Sequence, residues 1–569
     1  MRKKKAIAVT FLMLMSGIFM SANVNARPPG KTLTKEVPVI VVGNMGSLEK
    51  DALLSLPEIK ASLLTSHSPI RINNNTDFAL MATREGWKGN GTAMNPYIIE
   101  NYTINGTGYS YCIYIGNTTC HFIVRNCYLH HADGIWRWPY YSRSGLVLYN
   151  VQNGSIAKNR AFSNRNYGIR LYYSSSNIIT SNIASHNARG GIWTSHSNMN
   201  LIINNTCYNN YFGIFIDRST RSVVTNNTAF NNTVGIIICN SHFNNTLINN
   251  TVTSNYEGIS LDYSNYNTVI NNIASNNTRG FHIELSNHNT IINNTAILNN
   301  TYGFHLYDSN HNALINNTAT LNNTYGFYIH TSNHNTLINN TATLNNTYGF
   351  FVIGSSRNQI IKNNASHNYY GSWLQYSTYN NFTCNKFFNN FYGICLNLSA
   401  DYNNLTHNKI YNCSYGIYLN GADNNKVFNN TVANNTNAVY LKSSTYNTIS
   451  NNTLFHNSYA VPMFYSANNI IINNSIINNS NGILLNYSYY NTIRNNILNN
   501  NRDGIYLNSS TYNTIVNNTI TNNRNGIQLA YSNHSTVYHN KIINNTYQAY
   551  DNTGTNSWYA PYPTGGNYW

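Results

Sequence analysis

Charge is what this chain has least of. Only 9% of its 569 residues are Asp, Glu, Lys or Arg, where a soluble domain carries about 25%. Acids are the scarcer sign: 17 Asp and Glu stand against 33 Lys and Arg, for a net charge of +16. Beyond Arg2–Lys5 no dense basic run accompanies that excess, so the surface reads as solvated and mildly basic rather than as a nucleic-acid groove, and no nucleic-acid partner is expected. So few carboxylates also leave little to titrate in an acidic medium. Proline is scarce, with 10 residues. Beyond the N-terminus no apolar run approaches the ~20 residues that span a bilayer. Disordered chains are equally polar but lack aromatic and β-branched residues. This chain has 47 Tyr and 21 Phe, side chains that fit a pleated surface.

The first residues have the layout of an export signal. Arg2–Lys5 form a positive stretch, Ala6–Met20 an apolar one, and Val24 and Ala26 stand three and one residues before a cleavage point at Arg27. Residues 1–26 therefore read as a signal peptide, which implies a secreted or cell-surface protein with no membrane span once the signal is removed. Eight Cys in an exported chain raise the question of disulfides. Cys112, Cys120 and Cys127 are close enough for one bridge, its pairing left open. Cys207, Cys239, Cys384, Cys395 and Cys413 fall at different phases of the repeat below and read mostly as buried thiols.

That repeat dominates the chain. Gly followed by an apolar residue recurs every 22 or 23 residues from Gly145 to Gly416, and continues through Ala438 and Ala460 to Gly482, Gly504, Gly526 and Ala549. Two copies, Ser309–Phe327 and Ser332–Phe350, differ only at Ala313 against Thr336. Asn, Thr and Gly favour turns and strands over helix interiors, so a helical repeat is excluded. From Gly280, Phe281 and Ile283 alternate with His282 and Glu284, and an N-x-I-x-x-N-x-A-x-x-N run follows from Asn289 to Asn299. Three short strands with bends between them make one rung of a solenoid, each rung stacked about 4.8 Å on the last. The expected fold is all-β: a right-handed parallel β-helix of about 19 to 21 coils.

Stacking also accounts for the Asn content. Bends need residues that tolerate the left-handed region, and Asn is the best after Gly. Inward Asn at 289, 312 and 335, and at 294, 317 and 340, are expected to form two amide ladders. The same residues create N-x-Ser/Thr sequons, of which only outward Asn such as Asn293 could carry a glycan. The chain divides into a signal (1–26), a leader (27–65), an N-terminal cap (66–97) with a short helix over Asn74–Gly86, the β-helix (98–550) and a C-terminal tail (551–569). In that tail Trp558 and Trp569 could cover the last coil.

The G-I-x-L…S-x-x-N-x-I-x-x-N unit resembles the right-handed parallel β-helix repeats of NosD-type proteins and the wider class of carbohydrate-binding proteins and sugar hydrolases. The lead-in "GNGTAMNPYIIENYTINGTG" and the closing "GGNYW" resemble exported archaeal surface proteins carrying the same domain. The resemblance covers roughly residues 70–569. It implies a glycan-related or a copper-related role, since NosD-type proteins are associated with maturation of the copper site of nitrous oxide reductase; fold alone fixes neither.

On a solenoid, residues of equal phase form columns. Two after each Gly, pointing outward, stand Trp193, Phe215, Tyr328, Phe351, Trp373, Tyr418 and Tyr440. Such a strip suits stacking on the apolar faces of sugar rings, so non-enzymatic binding of extracellular or cell-envelope glycans is the expected function. Outward aromatics are also ordinary partners in strand packing. A lyase or glycoside hydrolase would need paired carboxylates, and Asp262 and Glu284, with Asp217 two coils before, are the one pair in phase. His288, His311 and His334 share a phase on three coils, and His282 and His305 on two; such columns could hold copper or zinc. The triple column lies in the most duplicated stretch, where copying explains it, so no metal is assigned. No cofactor is required: copper enters only through the resemblance, and calcium only with a lyase. The oligomeric state is left open.

Overall fold

The computed structural model describes residues 19–21, 38–40, 64–135, 142–299, 301–321, 324–344, 347–561 and 563–569. The chain separates into two units at Leu63 and Leu64. In the first, Phe19–Ser21 pairs antiparallel with Pro38–Ile40; the expected signal and leader otherwise lie outside the described residues. The second unit is a right-handed parallel β-helix of about twenty coils. Among the described residues no helix is long and apolar enough to cross a membrane.

Each coil lays one strand on each of three faces. In the coil of Gly280 these are Arg279–Glu284 on the first face, Thr290–Ile292 on the second and Thr295–Ile297 on the third. The next coil repeats them in register, pairing Phe281 with Phe304, Ile291 with Leu314 and Ala296 with Ala319. Inward residues of equal phase therefore meet. Phe281, Phe304, Phe327 and Phe350 stack at 4.7, 4.8 and 4.9 Å with their rings nearly parallel. Each is fully buried, which contributes about 2–3 kcal/mol per ring.

Both expected Asn ladders form. Asn317 accepts at Oδ1 from the backbone N–H of Asn294 (2.9 Å) and from its Nδ2 (3.0 Å). Its own Nδ2 donates to Oδ1 of Asn340 (3.0 Å) and to the carbonyl of Ile291 (2.8 Å). The ladder through Asn289, Asn312 and Asn335 is built alike. A third amide ladder runs through Asn255 and Asn277 (3.1 Å), and a serine ladder through Ser286, Ser309 and Ser332 (3.0 and 2.9 Å). The ladder amide and the left-handed residue are different positions. The left-handed residue comes just before the buried Asn, as with His288 (φ 57°), Asn293 (φ 54°) and Leu298 (φ 55°). Asn293 is exposed, whereas the sequon Asn299 is fully buried and shielded from glycosylation.

The recurrent Gly answers to close approach. A Cβ at Gly258 would lie 2.6 Å from the carbonyl oxygen of Gly280 in the next coil. At the N-terminal end the first coil already contains Thr65–Ser66 and Ile70–Ile72, so coil strands start before residue 98. Helix α1, Asn75–Glu85, replaces a bend in that coil. Asn74 caps it, accepting from the N–H of Asp77, and Gly86 ends it in the left-handed region. Its Phe78 is fully buried against Tyr97 and Phe122 and closes the core at that end. At the other end the tail leaves the repeat yet supplies the last ladder amide, Asn567, which accepts from Asn540 Nδ2 at 2.9 Å. Trp558 packs on the last core residues, and Trp569, 5.8 Å away, is exposed.

The suggested bridge among Cys112, Cys120 and Cys127 is corrected: all eight cysteines are free thiols. Cys112 donates to the carbonyl of His130 and Cys127 to that of Arg125, so each buried sulfur has its own main-chain partner. Of the other five, Cys207, Cys395 and Cys413 are buried, Cys239 is half-buried and Cys384 is exposed.

Candidate functional site

The outward side chains of the first face form three zones along the axis. In the first, Trp193 stacks on Tyr167 at 4.8 Å and is flanked by Tyr172 and Phe215. The Arg170 guanidinium lies 4.8 Å over its ring. In the third zone, Tyr302, Tyr325, Tyr348, Tyr370, Tyr392 and Tyr415 stack coil upon coil at 4.9–5.2 Å. They stand beside the column of Tyr328, Phe351, Trp373, Tyr418 and Tyr440.

That second tyrosine column, directly before each Gly, changes the reading of the aromatic strip. Trp193 and Phe351 are each only 7% exposed, and Phe215, Tyr328, Trp373, Tyr418 and Tyr440 are half-buried. Phe351 sits 4.7 Å from Tyr348 and 5.2 Å from Tyr328, both nearly parallel to it. The ring faces expected to receive sugars are largely covered by other rings, leaving edges and hydroxyls at the surface. The sequence signal for this cover was the run of Tyr immediately before Gly303, Gly326, Gly349, Gly371, Gly393 and Gly416.

Between the two aromatic zones lies a charged window. Asp262 and Glu284 are stacked in register on adjacent strands, and Ser260 pairs with His282 beside them. Arg279 donates to Glu257 at 2.7 Å, and His282 Nδ1 lies 3.3 Å from the same carboxylate oxygen. His282 Nε2 faces Glu284 at 3.7 Å, and Ser260 Oγ donates to Asp262 at 2.6 Å. Burial pushes the Glu257 carboxyl up, but the hydrogen bond and charge of His282, reinforced by Arg279, hold it below the ordinary carboxylate range. Burial raises the Asp262 carboxyl despite its bond to Ser260. His305 stacks on His282 at 5.0 Å. Burial, followed by the charges of His282, Arg279 and His330, takes its imidazole down to about 2.

The structure thus brings Asp262 and Glu284 together and adds Glu257, Arg279 and His282 to them. Sequence reasoning left the Glu257–Arg279 pair out, although opposite charges at equal phase on adjacent coils stand out in so uncharged a chain. His288, His311 and His334 lie elsewhere, at an exposed bend, stacked at 4.9 Å behind Tyr266. With Asn265, Asn287, Asn310 and Asn333 they line an open trench of about 690 Å³. Parallel imidazoles at that spacing exceed the ~4.2 Å that two bonds of about 2.1 Å can bridge.

A family model described as "Periplasmic copper-binding protein (NosD)" matches residues 70–257, 183–320, 258–394, 322–445 and 392–569, together nearly the whole β-helix. No curated protein matches the sequence. Among solved structures, the Dettilon tailspike protein is 14% identical, with 58% of this chain and 62% of that one covered and a TM-score of 0.31. The chain thus spans less than two thirds of the tailspike's length. Pectate lyase Pel9A is 13% identical over 48% of this chain and 76% of its own, with a TM-score of 0.29. The mannuronan C-5 epimerase AlgE6 A-module of Azotobacter vinelandii is 12% identical over 88% and 89%, with a TM-score of 0.16.

Proposed function

The chain belongs to the NosD family, and from that premise we propose that it is an exported β-helix protein that binds a carbohydrate chain along its first face. The observation that carries this reading is the window of Glu257, Arg279 and His282, set between two aromatic zones on one strand face. Arg279 donates to Glu257 through one N–H at 2.7 Å, and a guanidinium beside a carboxylate offers the donors and acceptors that hydroxyl-rich ligands need. On the C-terminal side, tyrosine rings recur coil by coil at about 5 Å, so an extended polymer meets the same edge contacts repeatedly. The reading is of binding without turnover. Export is supported by the signal-like layout of residues 1–26 and by the periplasmic description of the family.

The test is retention of the full chain on a panel of immobilised polysaccharides, with a chelator present throughout. At least one polymer is expected to retain it, and Arg279→Ala to weaken that retention at least fivefold while circular dichroism stays unchanged. Retention by no polymer, or equal retention of a folded Arg279→Ala protein, overturns the reading.

A further inference from the structure

We propose that Asp262, His282 and Glu284 together hold one divalent transition-metal ion. Each offers one ligand atom, and these atoms lie within 4.8 Å of one another. Around an ion with bonds of about 2.1 Å, donor atoms stand ~3.3–4.2 Å apart, so small side-chain rotations close the site. Both the geometry and the surroundings favour this. Asp262 and Glu284 stack in register on adjacent strands, the rigid kind of support that fixes donor positions.

The ring of His282 is oriented for the task. It is 3% exposed, and its Nδ1 is 3.3 Å from Glu257, which Arg279 grips at 2.7 Å. That leaves Nε2, on the Glu284 side, as the free donor. A carboxylate behind one ring nitrogen, setting the tautomer of the other, is the usual outer support of a metal-bound imidazole. Ser260 Oγ holds one oxygen of Asp262 in the same manner.

A second observation points to a ligand. His305, one coil further on and 7% exposed, stacks on His282, and neither of its ring nitrogens has a hydrogen-bond partner. Burying such a group without a partner is unfavourable. A water bound to the ion would give it a partner.

The donor set is two carboxylate oxygens and an imidazole nitrogen. That suits Cu²⁺ or Zn²⁺ and is poor in the soft sulfur that Cu⁺ prefers. Cys239 pairs in register with Asp262 one coil before, yet it is not among the converging atoms. The copper in the family's description therefore fits these residues in its divalent form.

The site lies within the face assigned above to carbohydrate, so ion binding is measured with no carbohydrate present and the two readings fail separately. The untagged full chain is stripped with chelator, exposed to Cu²⁺ or to Zn²⁺, desalted and analysed for metal per chain. One ion per chain is expected, with at least a tenfold loss of affinity in His282→Ala and in Asp262→Asn/Glu284→Gln. Equal retention is expected in a His288→Ala/His311→Ala/His334→Ala chain. The paramagnetic resonance spectrum of the Cu²⁺ form should show nitrogen coupling that His282→Ala removes. Should His282→Ala fail to fold, the carboxamide double variant, which keeps size and shape, decides alone. Failure to retain one ion, undiminished retention in a folded carboxamide variant, or loss of the ion with the outer histidines overturns the proposal.

Discussion

Asn317 and Asn340 are joined twice across adjacent coils: the side-chain amide of Asn317 donates to Oδ1 of Asn340 at 3.0 Å, and its backbone N–H donates to the same oxygen at 2.9 Å. One side chain thus holds both strand register and its neighbour's side chain. Asn317→Ala leaves the Asn294 donors and the Ile291 carbonyl unsatisfied, so a loss of about 1–3 kcal/mol is expected. Asn317→Asp should lose more at neutral pH, because a buried carboxylate then faces the Asn340 oxygen and a carbonyl. Acidification through the carboxyl pKa should recover part of that loss by restoring a donor. Thermal melts of both variants at pH 4 and pH 7 check this. An Asp variant as stable as wild type at pH 7 sinks the account.

The ladders were legible because Asn keeps its phase over many coils, and periodicity converts directly into stacking. The division of labour at each bend was not. Leu298 and His288 adopt the left-handed region as Asn293 does, and neither residue type advertises that backbone. The charged window was half legible: Asp262 and Glu284 share a phase, but Glu257 and Arg279 occupy a column that only the fold shows to border it. The aromatic strip misled for a similar reason. Its phase fixes direction, while exposure depends on the tyrosines one column away.

Alkaline pH should destabilise the protein before acid-labile ion pairs matter. Burial pushes the thiols of Cys112, Cys127 and Cys413 up to about 12, against ~8.5 in an unfolded chain. Raised folded values mean that the stability these thiols contribute is complete below about pH 8.5 and is lost as pH climbs towards 12. Melting temperature should therefore be level up to about pH 8 and fall steadily to pH 11. In the native protein at pH 8, exposed Cys384 should react first with a thiol reagent, and Cys112, Cys127 and Cys413 only on unfolding. A melting temperature flat to pH 11, or rapid native labelling of these three, would show that the thiols are not buried as described.

Phe351 offers the sharpest separation of packing from binding on the first face. Its ring is covered by Tyr348 at 4.7 Å and Tyr328 at 5.2 Å, so Phe351→Ala removes buried contacts before it removes any ligand contact. A loss of about 2–3 kcal/mol is expected, against under ~0.5 kcal/mol for Tyr446→Ala, whose ring is 61% exposed. Weaker polysaccharide retention in Phe351→Ala would then report damage to the wall. Tyr328→Phe, which deletes a hydroxyl and keeps the ring, isolates the edge contact: it should preserve the melting temperature while reducing retention. Equal melting temperatures for Phe351→Ala and wild type would mean that the face is open after all, and sugar stacking on Phe351 itself would return as the simpler explanation.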